Sequence, residues 1–251
     1  MQMNSDKLAV IILAAGKGKR MKSDLPKVLH LLRGKPLIMW VISAAEHLNP
    51  TKIIAVVGHK AGLVKNSLKG EDVLFVHQEE QLGTGHAVAQ TSSLLKDFLG
   101  DVFVLCGDVP LIKAETLREM LAVHRKDNSV VTLLSVEMEN PSGYGRIVRD
   151  GQGRVVANVE DRCATESEKE IKEINGGIYV FNSKFLFESI GKLSSENEQG
   201  EYFLPDLIKI AIESGLSVSS LKLDSPIQLL GVNRVEDLKL LEDSLSESVE
   251  A

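Results

Sequence analysis

Cysteine is scarce in this 251-residue chain: Cys106 and Cys163 are the two present. Two thiols make no disulfide framework and point to a reducing compartment. Neither has a Cys or His neighbour at metal spacing, so a thiolate metal site is not expected. No apolar run approaches the roughly 20 residues of a membrane span. The N-terminus carries neither the apolar core nor the cleavage site of a secretion signal. The expectation is a cytoplasmic chain with no membrane partner. A basic surplus is missing too: the net charge is -6, which disfavours nucleic acid as a partner, because a phosphate backbone needs a basic surface. Internal repeats, low-complexity tracts and separating linkers are absent. The hydrophobic share of 43% and charged share of 25% suit an ordinary globular chain, long enough for one large α/β domain. The expected division is one domain over 1–251, with a first half at 1–135 and a second at 136–251.

What is present in the first half is alternation. Apolar runs fit for buried parallel strands lie at Leu8–Leu13, Ile53–Gly58, Val73–Val76 and Val102–Cys106, because a strand covered on both faces has no polar side. Helical patterns start at Pro36, at Gly83 running through Leu94-Leu95, and at Glu115. Such βαβα order predicts a mostly parallel sheet with helices on both faces and ligands beyond the strands' C-terminal ends. Segments 14–27, 78–85 and 107–110 fall at such ends. The second half changes character. Val130–Val136 reads as a strand, followed by shorter ones at 145–149, 154–160 and 174–181, with Asp150–Gly153 as a hairpin turn. This predicts a small, partly antiparallel insertion. Asn197–Gly200 reads as a polar loop, and Pro205 sits in the first turn of a helix. Ile227–Leu230 reads as a further apolar strand, and the end from Ser244 to Ala251 as frayed helix.

The segment behind the first strand, Ala14-Ala15-Gly16-Lys17-Gly18-Lys19-Arg20-Met21, with Pro26-Lys27 after it, joins small residues to cations. It spells neither a P-loop nor the dinucleotide fingerprint. Its backbone N–H groups and the helix start behind it can hold phosphates, with Arg20 and Lys27 neutralising charge, while Lys17, Lys19 and Lys22 read as solvated. Gln78 carries an amide suited to a pyrimidine edge; Gly83 and Thr84 bring backbone and hydroxyl near a ligand or simply cap a helix. His86 reads as a helix-surface residue. Asp108, behind Gly107 at a strand end, suits Mg²⁺, which takes one or two protein oxygens plus substrate phosphates. Glu160 can accept from sugar hydroxyls, and Asn175 from an acetamido or ring group. The amide of Asn233 can complete a metal site or cap the last helix.

In order, the stretches LAAGKGKRM (13–21), SDLPKVLH (23–30), QEEQLGTGHAV (78–88), GDVPL (107–111), PSGYGRI (141–147), VE (159–160), EINGGIYVF (173–181), QGEYFLPDLI (199–208) and GVNRVEDL (231–238) span nearly the whole chain. The set resembles the uridylyltransferase (pyrophosphorylase) half of the bacterial N-acetylglucosamine-1-phosphate uridyltransferases, the GlmU family. The resemblance implies a Rossmann-like, GT-A-like nucleotidyltransferase fold. It implies nucleotide contacts at Leu13, Ala14, Ala15, Gly16 and Lys27, with Gln78, Gly83 and Thr84 on the uracil side. Arg20 stabilises phosphates. Asp108 and Asn233 hold Mg²⁺. Gly107, Asp108, Gly145, Glu160, Asn175 and Asn233 surround the sugar. The pattern departs at Cys106, where many members carry an aromatic residue, and at Gly176, where a Thr is familiar. No hexapeptide repeats follow Asn233, so the acetyl-CoA reaction of that family's β-helix half is expected to be missing, and with it the main trimer contacts; a monomer is favoured.

The implied chemistry is in-line displacement: a sugar 1-phosphate attacks the α-phosphorus of UTP, pyrophosphate leaves, and Arg20, Lys27 and Asp108 serve as the catalytic set. Positioning and charge neutralisation supply the rate. The alternatives are another sugar 1-phosphate or nucleotide, such as glucose 1-phosphate or dTTP, and a non-catalytic nucleotide-sugar sensor.

Overall fold

The computed structural model describes residues 6–197 and 199–250. The first strand, β1 (Leu8–Ala14), is apolar at every position and buried along almost its whole length. The elements that follow are α1 (Leu37–Glu46), β2 (Lys52–Val57), α2 (Ala61–Ser67), β3 (Leu74–His77), α3 (Thr84–Ala89), α4 (Ser92–Leu95), β4 (Asp101–Cys106), α5 (Ala114–Lys126) and β5 (Val131–Glu137). The second half adds β6 (Arg146–Arg149), β7 (Val155–Val159), α6 (Glu166–Lys169), β8 (Glu173–Asn182), α7 (Ser183–Ser189), α8 (Asp206–Glu213), β9 (Val218–Leu223) and α9 (Val235–Glu250).

Among the described residues these strands form one nine-stranded sheet, in the order β9-β5-β8-β4-β1-β2-β3, with β6 hung on β8 and β7 on β6. The β1, β2, β3 and β4 pairings are parallel. The exception at the centre is β8, antiparallel to both β4 and β5, and β6 and β7 form the antiparallel hairpin around Asp150. The sheet is thus mixed and mostly parallel in its first half, as expected. Alternate residues of β1 point to opposite faces. Val10 and Ile12 pack with α1, α2 and α5, through residues such as Ile38, Val41, Val64 and Leu117. Ala9 and Ile11 belong to the opposite cluster, with Val88, Leu95, Leu186 and Leu207 from α3, α4, α7 and α8. Helices cover both faces.

Three readings change. The long helix expected from Gly83 to Leu95 is two helices. Between them Thr91 is buried and its hydroxyl donates to the Val88 carbonyl at 2.7 Å, competing with the helical ladder. Ile227–Leu230 is no strand: Pro226–Leu229 is a 3₁₀ turn, opened by a proline that fixes φ and lacks an N–H for a ladder. The chain end is not frayed from Ser244, for α9 continues to Glu250. Leu241, fully buried, anchors it with Met21, Leu32, Leu37 and Val232. Ala251 lies outside the described residues.

Beneath the sheet, His124 of α5 is 2% exposed, with Nδ1 2.8 Å from the Thr132 hydroxyl and Nε2 3.6 Å from Asp101, which Arg125 also engages. Burial brings the imidazole down from 6.5 to about 4, against the pull of Asp101 and with Arg125 adding. Above 6.5 the ring is neutral in both folded and unfolded chains. As pH falls, the unfolded chain takes the proton first, so stability drops from about pH 6.5 and levels off near pH 4, a loss on the order of 3 kcal/mol. Urea midpoints between pH 7 and 4.5 should fall, and fall less in His124→Gln; an equal fall in both proteins would contradict a neutral buried ring.

Candidate active site at the sheet edge

Parallel strands deliver the site. β1, β3 and β4 all end on one edge, so Ala14, Gln78 and Asp108 emerge side by side. β8 runs the other way, pairing Asn182 with Asp101 at the far end of β4. Its early residues, Asn175 among them, therefore reach the same edge as the end of β4. The loop after β1 is not followed by a helix. Lys19–Met21 forms a single 3₁₀ turn, so the expected helix start is missing. Lys17 and Lys22 are exposed; the side chain of Lys19 lies outside the described ones.

The polar centre is a cluster of four side chains. The Lys27 ammonium is ion-paired with Asp108 Oδ2 and donates to Asn233 Oδ1 at 3.2 Å. Arg20 donates to that same oxygen at 2.8 Å. Residues 108 and 233 meet because the Val232 N–H donates to the Asp108 carbonyl at 2.9 Å. The Asn233 and Arg234 N–H groups donate to the Asp237 carboxylate at 2.7 and 2.8 Å. Gly18 adopts φ +58, and a Cβ there would lie 2.9 Å from that of Lys27; only glycine admits the lysine so close. A carboxylate oxygen and an amide oxygen already shared by cations are the hard donors Mg²⁺ prefers, with further positions left to substrate phosphates and water. Asp108 and Asn233 fit such an ion. Among the described residues no cluster of three His, Cys, Asp or Glu offers an all-protein metal cage.

A cavity of about 280 Å³ opens beside this cluster, lined by Leu13, Ala14, Ala15, Gly16, Lys27, Gln78, Gly83, Thr84 and Asp108. Every residue assigned to the nucleotide by resemblance is on that wall; Gln81, Cys106 and Glu201 join them, unforeseen. Gln78 is buried, and its Nε2 donates to the Gly83 carbonyl at 3.1 Å and lies 3.0 Å from His86 Nδ1. Both N–H groups are thereby spent, and the amide oxygen is what Gln78 has left to offer a ligand. His86 is therefore no surface residue: it is half-buried and holds Gln78. The loop of Gly83 is zipped to residues 202–204. Gly85 donates to the Tyr202 carbonyl at 2.8 Å, and the Leu204 N–H donates to the Thr84 hydroxyl at 3.1 Å. A Cβ at Gly83 would meet Tyr202 O at 2.6 Å.

A second cavity, of about 200 Å³, shares Leu13, Thr84 and Cys106 with the first and is otherwise lined by second-half residues, including Gly145, Glu160 and Asn175. Tyr144, Tyr179, Leu204 and Pro205 also line it. Gly107, Asp108 and Asn233 sit elsewhere, Asp108 on the wall of the first cavity. Gly107 is packed under the first loop, donating to the Leu13 carbonyl at 3.0 Å, and Asn233 is in the cation cluster. Burial raises the Glu160 carboxyl above its usual range, with Asp206 and Asp161 adding and the Asn158 amide opposing. Asn175 corrects one expectation. Its Oδ1 already accepts from the Gly177 N–H at 3.0 Å and the Tyr179 hydroxyl at 3.1 Å. Both lone pairs are used, so what Asn175 has left to offer a ligand is an amide N–H and not an acceptor. Gly177, at φ +73, makes the bulge that turns its N–H back onto Asn175. Gly176 stands where Leu229 presses in: a Cβ there would lie 2.5 Å from a Leu229 methyl.

Cys106 borders both cavities, yet it is no nucleophile. Burial pushes its thiol up to about 12, with Asp108 adding and Lys27 opposing, and Sγ donates to the Gly177 carbonyl at 3.5 Å. The thiolate is the reactive form. A soluble thiol reagent should titrate one group rapidly in the native protein, the exposed Cys163, and two after denaturation. Rapid modification of both would contradict a Cys106 thiol held in its protonated form.

A family model described as nucleotidyl transferase matches residues 9–225. The chain is 47% identical over 227 residues to the bifunctional protein GlmU of Geobacter metallireducens, covering 90% of this chain and 48% of that protein. It is 50% identical over 235 residues to the protein of that name from Alcanivorax borkumensis, covering 94% and 51%. The chain thus spans about half the length of the curated relatives it matches. Among solved structures, a putative glucose-1-phosphate thymidylyltransferase from Bacillus anthracis superposes with a TM-score of 0.75 at 19% identity, covering 94% of both chains. An apo UDP-glucose pyrophosphorylase gives 0.76 at 17%, covering 96% of this chain and 99% of that one. These likenesses speak to the fold. With the family model spanning most of the sheet and the edge that bears the cation cluster, this chain belongs to the nucleotidyl transferase family.

Proposed function

We propose that this chain forms UDP-N-acetylglucosamine and pyrophosphate from UTP and N-acetylglucosamine 1-phosphate by Mg²⁺-dependent in-line displacement. The carrying observation is two cavities that share a wall at Leu13, Thr84 and Cys106, with the Lys27–Asp108–Asn233 cluster at the first of them. A nucleotide in one cavity and a sugar in the other meet at that wall, where the new phosphoanhydride bond must form as the bond to pyrophosphate breaks.

The first half takes the nucleotide. Peptide N–H groups of Ala14–Gly16 approach the phosphates, and the Gln78 oxygen accepts from an N–H on the base. The second half takes the sugar, with Glu160 accepting hydroxyl protons and Asn175 donating to an acceptor such as the acetamido oxygen. Asp108 and Asn233 would hold Mg²⁺, which would supply charge neutralisation on the phosphates. Lys27 and Arg20, released from the shared amide oxygen, offset the charge on the departing pyrophosphate. No side chain need form a covalent intermediate, since orientation and electrostatics carry phosphoryl-type transfer. The two unpaired cysteines suit a cytoplasmic enzyme.

Pyrophosphate release is the direct test. Activity should be highest with UTP plus N-acetylglucosamine 1-phosphate, lower with glucose 1-phosphate, and lower with dTTP. Asp108→Ala should cost about 10²–10³ in rate with the thermal midpoint nearly unchanged. Tight UTP binding without turnover on any sugar 1-phosphate would overturn the enzyme reading, and preference for glucose 1-phosphate would overturn the sugar assignment.

A further inference from the structure

Behind the second cavity lies a run of hydrogen bonds that the proposed reaction does not by itself require. The Gly177 N–H and the Tyr179 hydroxyl both donate to Asn175 Oδ1. Asn175 Nδ2 donates to Asn158 Oδ1 at 3.1 Å. Asn158 Nδ2 donates to Glu160 Oε1 at 3.3 Å. The direction of every link follows from its start. A backbone N–H can only donate, so the Asn175 atom it meets is the oxygen. Burial holds the Tyr179 phenol far on its protonated side, so it donates as well. The Asn175 nitrogen must then face Asn158, which meets it with oxygen and turns its own nitrogen to Glu160.

Asn158 is not among the residues lining the cavity. It sits on β7, reached across β6. Room for it is made by Gly145, where a Cβ would lie 2.7 Å from Asn158 Oδ1. Gly145 in turn accepts the Asn175 N–H at 2.9 Å. One side chain on β7 is thus bonded across to β8, and it touches both Glu160 and Asn175.

We propose that Asn158 is a positioning residue that sets sugar selectivity, a reading that rests on the proposed function. It fixes the Asn175 amide so that one N–H is spent and one is left for ligand. It also holds Glu160 as an acceptor. The cavity then offers one donor and one acceptor at fixed places. That pair matches a sugar 1-phosphate that bears a carbonyl oxygen on an acylamino substituent and a neighbouring hydroxyl. A sugar with hydroxyls alone can rotate a hydroxyl to meet either partner and gains less from the fixed donor.

Asn158→Leu keeps the approximate volume and removes both bonds. Its KM for N-acetylglucosamine 1-phosphate should rise about tenfold, while KM for UTP stays within about twofold. The preference over glucose 1-phosphate should shrink with it. Tyr179→Phe, which deletes one hydroxyl and keeps the ring, should shift the same ratio in the same direction by a smaller factor. It decides the matter if the leucine variant does not fold. In the wild-type protein the Asn175 side-chain amide protons should exchange slowly by NMR, and in Asn158→Leu they should exchange fast. Unchanged KM and unchanged discrimination in the variants would overturn the proposal, as would equal increases in KM for both substrates. Failure of the wild-type protein to turn over any sugar 1-phosphate would instead sink the functional reading, and the amide exchange would still report on whether Asn158 holds Asn175.

Discussion

The Lys27 ammonium lies between the Asp108 carboxylate and the Asn233 amide oxygen, and Arg20 reaches the same amide. Four residues separated by up to 213 positions in sequence meet there, from three parts of the chain. Arg20 and Lys27 lie in the segment after the first strand, Asp108 lies just past the end of the fourth, and Asn233 precedes the last helix. Without this meeting point the two cavities would be unrelated depressions on a sheet edge. With it, Lys27 and Asp108 on the wall of the first cavity are joined by Arg20 and Asn233, which sets the cations proposed to neutralise phosphate beside the oxygens that suit a divalent ion.

Two features hold the meeting point in place. The backbone bond from Val232 to the Asp108 carbonyl sets Asn233 beside Asp108 regardless of the side chains' state. The small apolar cluster of Met21, Leu32, Leu37, Val232 and Leu241 clamps the residue after Arg20 to the residue before Asn233. Apolar burial at these five positions, not ion pairing, carries the positional energy, since partly exposed charges contribute little net stability. The α9 helix is therefore part of the site's frame: Leu241 anchors it, and its first-turn Asp237 holds the Asn233 backbone.

Much of this was legible in the sequence. The four apolar runs of the first half became β1 to β4 within a residue or two; β1, β2 and β4 are buried and need an unbroken apolar pattern, while β3 is the partly exposed edge strand. The residues Leu13 to Gly16, Lys27, Gln78, Gly83, Thr84 and Asp108 all reached one cavity, because parallel strands send their ends to one edge. The second half was harder. Whether Asn175 accepts or donates depends on Tyr179 and on a positive-φ glycine, which no spacing rule reports. His86 looked like a surface residue because its partner, Gln78, is eight positions away and on another element. Asn158 carried no signal, for an asparagine in a short strand beside a hairpin turn reads as an exposed polar residue. Pro226 was the one local sign that Ile227–Leu230 could not join a ladder, and apolar composition outweighed it.

The proposed chemistry depends most on Lys27, Asp108 and Asn233 forming one cation locus, which a divalent ion can occupy in place of the lysine. The most direct measurement is Mn²⁺ affinity of the nucleotide-free protein by isothermal titration, compared between wild type and Lys27→Gln. Removing the ammonium leaves both oxygens free, so the variant should bind Mn²⁺ more tightly, and the added substitution Asp108→Ala should abolish that gain. Equal or weaker binding by Lys27→Gln would contradict a shared locus.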